Sequence, residues 1–221
     1  MILSIKPAPG EIESFNIYNA ITSWKTGLSG GLDGLLWVNL SKELLREVKY
    51  KNFKEVKEKL NNLIYDKLEN DKERVSKLLE RDWKSNKEVI IKEFERQTGI
   101  KLDKIACYII YSTGWGSYSL EKNDIYIHFK MPLLFTLAHE LFHLYFYKSA
   151  KARYNEIKLW KLSEIVVNLV LFSEKLKGLW PEQREEYYES VTKSDIKIIK
   201  ELWSNKKDFN SFLKKAMNYV K

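Results

Sequence analysis

His139-Glu140-Leu141-Phe142-His143 is the stretch from which the rest of this chain is best read. On an α-helix, positions i and i+4 lie about 40° apart around the axis. The two imidazoles then project side by side, one turn apart, and can grip a single metal ion. Glu140 follows the first of them, where a carboxylate can act on a water held in an open coordination position. Two of the chain's three histidines fall inside this pentapeptide.

The flanking residues predict a helix around it. Pro132 stands where a first-turn proline is tolerated, because its missing N–H would have no intrahelical partner. From Leu133 to Tyr147 there is neither Gly nor Pro, and apolar residues such as Leu134, Leu137, Leu141, Leu144 and Phe146 lie on every side. A helix that is apolar all round is a buried helix. Two imidazoles and a carboxylate inside it need partners, since burying polar groups without them costs a few kcal/mol each. A metal ion is one such partner; hydrogen bonds within the core are the plainer alternative.

The 221 residues suffice for one good core, or for a domain with a helical appendage. The net charge of +8 arises from 38 basic and 30 acidic residues in mixed runs such as Lys54-Glu55-Val56-Lys57-Glu58-Lys59. Such runs read as solvated helix faces, and no nucleic-acid motif accompanies them, so nucleic acid is not the expected partner. The single cysteine, Cys107, excludes an intramolecular disulfide and suits a reducing, cytoplasmic setting. Its apolar surroundings predict a buried, inert thiol. Met1–Pro7 lacks the basic start and apolar core of a signal peptide. No window reaches the roughly 18 apolar residues of a membrane span.

Along the chain, the first 40 residues read as irregular: Pro7, Pro9 and Gly10 break any early element. Gly27 to Gly34 form a glycine-rich turn region that lacks the Gly-Lys-Ser/Thr of a phosphate loop and lets Trp24 and Trp37 fold back. Ser41 looks like a helix cap. A helical stripe follows to about Glu69, with a break near 50–52, and a second runs from Asp71 to Gln97, with an interruption near 82–86 and Gly99 as its C-terminal cap. The two are expected to pack antiparallel. Residues 105–111 read as a buried strand, 113–118 as a loop and 124–129 as a second strand with Ile125, Ile127 and Phe129 on one face. After the polar connection at 148–153 comes a strongly apolar helix over 159–172, then amphipathic helices beyond Gly178 and Pro181.

A catalytic zinc takes three protein ligands and leaves a position open for water. Phe146 and Ser149 occupy the positions where a His-x-x-Gly-x-x-His extension would put glycine and histidine, and no histidine follows His143. The third ligand is therefore acidic, or it is His128. Glu164 is the foremost candidate. Twenty residues separate it from His143, room for a connection and a returning helix, and it is the one acid between Glu156 and Glu174. A lone Glu in such an apolar helix is costly unless paired or coordinated. Glu156, Glu174 and His128 stay open as alternatives. Asn168, one turn on, could reach a ligand with its amide.

With these residues the chain resembles the gluzincins, the zinc metallopeptidases of thermolysin type, over roughly Ile105 to Phe172, about a third of its length. The resemblance implies a third ligand on a downstream helix, which Glu164 matches. It also implies an edge strand before the active-site helix that pairs with extended substrate, a place matched by Asp124–Phe129, with Tyr126 and His128 lining the cleft. Solvent exposure of those two side chains is the alternative. The family often has an aspartate where Asn168 stands, and a later histidine that is absent here; Arg153, Tyr154, Tyr187 and Tyr188 are the candidates to replace it.

The fold class so implied is α+β, mainly α. Residues 1–100 form an N-terminal helical region and candidate cap, and residues 101–221 a zincin-like catalytic domain with a small antiparallel sheet or ribbon packed on the active-site helix. The expected cofactor is Zn2+, held by His139, His143 and Glu164. Glu140 would be the general base in hydrolysis of a peptide or protein substrate. The alternative is a catalytically inactive or latent zincin-fold module that binds a protein partner.

Overall fold

A four-stranded mixed sheet, ordered β1-β2-β4-β3, carries the long buried helices on one face. The computed structural model describes residues 1–23, 41–62, 69–111, 116–150, 156–187 and 191–220. Its strands are β1 (Ile2–Pro7), β2 (Lys104–Ile110), β3 (Ser117–Ser119) and β4 (Asp124–His128). The described helices are α1 (Gly10–Ser23), α2 (Lys42–Tyr50), α3 (Phe53–Asn61), α4 (Glu69–Thr98), α5 (Leu133–Ala150), α6 (Glu156–Leu171), α7 (Lys193–Ser204) and α8 (Phe209–Ala216). The α+β class with mainly helical content holds. Among the described residues no helix is long and apolar enough to cross a membrane.

The expected antiparallel ribbon is replaced by something else. Strands β2 and β4 are parallel neighbours, in register from Ala106↔Asp124 to Ile110↔His128. The reversal between them is made by β3, which pairs antiparallel with β4 as Ser117↔Tyr126, Tyr118↔Ile125 and Ser119↔Asp124. Asn123 closes the β3–β4 turn in the left-handed region at φ 56°, a conformation that asparagine adopts more readily than most residues.

The first residues are ordered as well. β1 runs parallel to β2, with Leu3 and Ile5 turned toward the core. Pro7 ends this strand at the sheet edge, where a missing N–H costs no ladder bond. α1 follows at once, with Glu11 and Glu13 in its first turn, where acidic side chains complement the helix dipole. α2 and α3 separate at Lys51 and Asn52. Asn52 caps α3 in a reciprocal box with Glu55, which fixes the break near residue 51 chemically. The Gly27–Gly34 stretch, with Trp24 and Trp37, lies outside the described residues.

α4 runs unbroken through Asp82–Asn86 and ends at Gly99, φ 74°. It does not pack as an antiparallel partner of the helices before it. Its neighbours are β1, β2 and α5, because Val75, Leu79, Trp83, Ile90 and Phe94 belong to the same core as the sheet and α5. α1, α2 and α3 enclose a smaller core of Ile17, Ile21, Val48, Val56 and Leu60. β1 and α4, from the first hundred residues, share the core of the later residues.

A buried ion pair joins the two cores. Lys72 Nζ of α4 donates to Glu13 Oε1 of α1 at 3.2 Å and to the Ala8 carbonyl at 2.9 Å, and both charged side chains are fully buried. Glu13 Oε1 also accepts from the Tyr111 backbone N–H at 3.2 Å. Three segments distant in sequence meet at these two charges.

Candidate metal centre

α5 is buried along most of its length, as its all-round apolarity requires: Leu137, Ala138, Leu141, Phe142, Leu144, Tyr145 and Phe146 are all closed to solvent. His139 and His143 leave it on one face, a turn apart. α6 packs against α5 and brings Glu164 to the same point. His139 Nε2 and His143 Nε2 stand 3.1 Å apart. Glu164 offers Oε2 to His139 at 3.5 Å and Oε1 to His143 at 3.3 Å. Ligand atoms of the three residues lie within 4.8 Å of one another.

These distances fit a metal. With bonds of about 2.0–2.1 Å to a tetrahedral ion, donor atoms stand about 3.3 Å apart; the closest approaches here, 3.1, 3.3 and 3.5 Å, two of them to different oxygens of Glu164, are near that spacing. The donor chemistry agrees, since two imidazole nitrogens and a carboxylate suit zinc and related divalent ions. Two ring nitrogens facing each other in a buried site also need a cation or a proton between them. His139 keeps its side chain 21% exposed while those of His143 and Glu164 are nearly closed, so the site opens on the His139 side.

The charges bear on each other strongly. Burial alone would raise the Glu164 carboxyl, but the two histidines outweigh it and bring its pKa down to about 2. Burial would lower the His139 imidazole, yet contact with Glu164 and the nearby charge of Glu140 hold it above its ordinary value. Glu140 is raised, chiefly by burial. It is 7% exposed, and Gly116, immediately before β3, lies directly against it. A Cβ built on Gly116 would meet Glu140 Oε1 at 2.5 Å and Thr136 Cγ2 at 2.7 Å. Aromatic rings close the flanks. Tyr118 of β3 stacks on His143 at 5.1 Å, and Phe135 stands beside His139 with Phe172 and Trp180 behind it.

Other expected residues go elsewhere. β4 is an interior strand, and the edge beside α5 is β3. Tyr118 faces His143 and pairs with Ile125, so the alternation along β4 turns Tyr126 and His128 to the opposite face. There Tyr126 stacks on Tyr108 at 5.7 Å and its hydroxyl meets Asp124. Neither lines the cluster. Asn168 donates to the Glu164 carbonyl of its own helix at 2.9 Å and to the Glu186 carbonyl at 3.0 Å. It anchors the segment after Pro181 and orients no histidine. Glu174 is exposed and paired with Lys177. The Tyr187 hydroxyl is spent on Glu185. Arg153, Tyr154, Tyr188 and the side chain of Glu156 lie outside the described residues. Gly116 and Tyr118 are the site residues that sequence reasoning missed. The one available signal was the short alternation Ser117-Tyr118-Ser119 before a turn.

His128 has a consequence of its own. It is 4% exposed, and burial, with Lys130 adding to it, pushes its pKa down to about 4, against an ordinary value of about 6.5. Above pH 6.5 folded and unfolded chains both hold the neutral ring. Between about 6.5 and 4 the unfolded chain takes up the proton first, so stability falls as pH falls. His128→Gln is expected to remove roughly 3 kcal/mol of that loss by pH 4, read from urea unfolding of both proteins at pH 7 and pH 4.5. Parallel losses in the two would contradict it.

Compared with protein-family models, curated proteins and solved structures, the chain finds no match.

Proposed function

We propose that this chain is a zinc-dependent metallopeptidase of gluzincin type, with a zincin-like arrangement of sheet, α5 and α6. The observation that carries this reading is the convergence of His139, His143 and Glu164 within metal-binding reach of one another, with Glu140 buried beside them. A divalent ion held there would supply a Lewis acid and lower the pKa of a bound water.

The chain's own groups have definite tasks in this reading. Glu140 takes the proton of the attacking water and returns it to the leaving amine. Its raised proton affinity suits a carboxylate that must hold that proton until it passes to the leaving amine. Gly116, lacking a side chain, leaves the Glu140 carboxylate the room to face the open side of the cluster. β3, an edge strand, offers backbone groups with which an extended peptide can pair. The rings of Phe135, Phe172 and Trp180 make an apolar wall beside His139, suited to an apolar side chain of that peptide.

The experiment is hydrolysis of a peptide library by zinc-loaded protein, wild type against Glu140→Gln. Glu140→Gln is expected to keep its metal and to lose at least about 100-fold in rate, the scale of general-base catalysis. Equal background cleavage by two metal-loaded proteins would remove the peptidase and leave a zincin-fold binding module.

A further inference from the structure

Metal-ligating histidines as a rule donate their second ring N–H to a carboxylate, carbonyl or water, which fixes both the tautomer and the ring plane. His143 departs from this. Its Nε2 faces His139 and Glu164, so in the ligating tautomer Nδ1 carries the hydrogen. Nδ1 is buried and meets no hydrogen-bond partner among the described residues. Asn168, the amide placed by the helical spacing to help, is committed to the carbonyls of Glu164 and Glu186.

A different contact holds the ring. The phenol of Tyr118 lies over the imidazole of His143, centroids 5.1 Å apart and planes inclined by 24°. His139 abuts it edge-on at 4.8 Å, and Tyr147 stands one helical turn on at 6.5 Å. Tyr118 is itself braced, by the ring of Tyr147 at 5.7 Å and by the pairing of β3 with β4. Rotation of the His143 ring about Cβ–Cγ would sweep it through the space that the phenol fills.

We propose that Tyr118 is a positioning residue for the metal site, whose stacked ring orients His143 in place of the missing hydrogen bond. The proposal rests on the metal-binding reading of the cluster and not on catalysis. The ring acts in two ways. It restricts the torsion by shape, and its electron-rich face is attracted to an imidazole that becomes electron-poor on binding a cation. The Tyr118 hydroxyl hydrogen-bonds the Tyr147 side chain, which braces Tyr118 but touches neither the imidazole nor the metal position, so phenylalanine should keep most of the function, while an aliphatic side chain should not.

The test compares wild type, Tyr118→Phe and Tyr118→Leu by zinc affinity, measured against a chromophoric chelator, and by the visible absorption of the Co2+-substituted proteins. Tyr118→Phe is expected to bind zinc within about twofold of wild type and to give the same Co2+ spectrum. Tyr118→Leu is expected to bind 10- to 100-fold more weakly, the range for lost orienting partners, with a shifted Co2+ spectrum. Thermal melts of the metal-free proteins check folding. Should the leucine variant fail to fold, Tyr118→Met takes its place, since an unbranched side chain fills the gap without a π face.

Wild-type affinity and spectrum in the aliphatic variant would overturn the proposal, and so would equal weakening by phenylalanine. A wild type that binds no zinc would instead remove the metal site itself, a result separate from these two.

Discussion

Replacing Lys72 by alanine is expected to cost about 3–5 kcal/mol of folding stability, the cost of breaking a buried ion pair from one side. Lys72 and Glu13 are both fully buried, 3.2 Å apart. Without the ammonium, Glu13 keeps a charge out of reach of water or takes up a proton, and either route costs free energy. The Ala8 carbonyl loses its charged donor as well. Lys72→Met combined with Glu13→Gln is expected to lie much closer to wild type, because neither charge is then buried. The glutamine still offers an oxygen to the Tyr111 N–H. Urea unfolding of the single and double variants makes the comparison. A lysine-to-alanine variant within 1 kcal/mol of wild type would show that water reaches this pair.

Gly116→Ala is expected to do its damage differently. The added methyl would stand 2.5 Å from Glu140 Oε1 and 2.7 Å from Thr136 Cγ2. Glu140 Oε1 ends a long side chain that can swing aside, whereas the buried, branched Thr136 can give little, so the stability loss should be about 1–3 kcal/mol. The displacement itself falls on the carboxylate that, in the proposed peptidase, faces the water. Misplacing a reacting group by about 1 Å can cost on the order of 100-fold in rate, and peptide hydrolysis should fall by at least that much. His139, His143 and Glu164 are left untouched, so zinc content should not change. Lost zinc, or a rate within a few fold of wild type, would contradict this account.

The contrast between these sites mirrors what could be read from residues alone. The His139–His143 pair, Glu140 and the lone Glu164 stand out because helical spacing and the cost of burying charge are local arguments, and the structure brings the three donors together. The strands over 105–111 and 124–129 were legible for a similar reason. Their neighbours in the sheet were not. Whether β4 is an edge or an interior strand depends on β3, three residues too short and polar to register as a strand. Tyr126 and His128 were misplaced with it. β1 was hidden by Pro7 and Pro9, residues that deny a central strand but are tolerated at an edge. Asn168 is legible as an amide one turn beyond Glu164, but besides the Glu164 carbonyl its partner is the Glu186 carbonyl, 18 residues away, and no local pattern points to that one.

The parallel pairing of Ile2 with Lys104 also sets the order in which the chain can acquire its shape. Closing a loop of about a hundred residues carries an entropic cost that later contacts must repay, and such non-local pairings slow folding. On a ribosome, the opening strand would have left the exit tunnel long before its partner was made. The β3–β4 hairpin, closed over a few residues, carries the smallest closure cost in the sheet, and the pairing of β1 with β2 the largest.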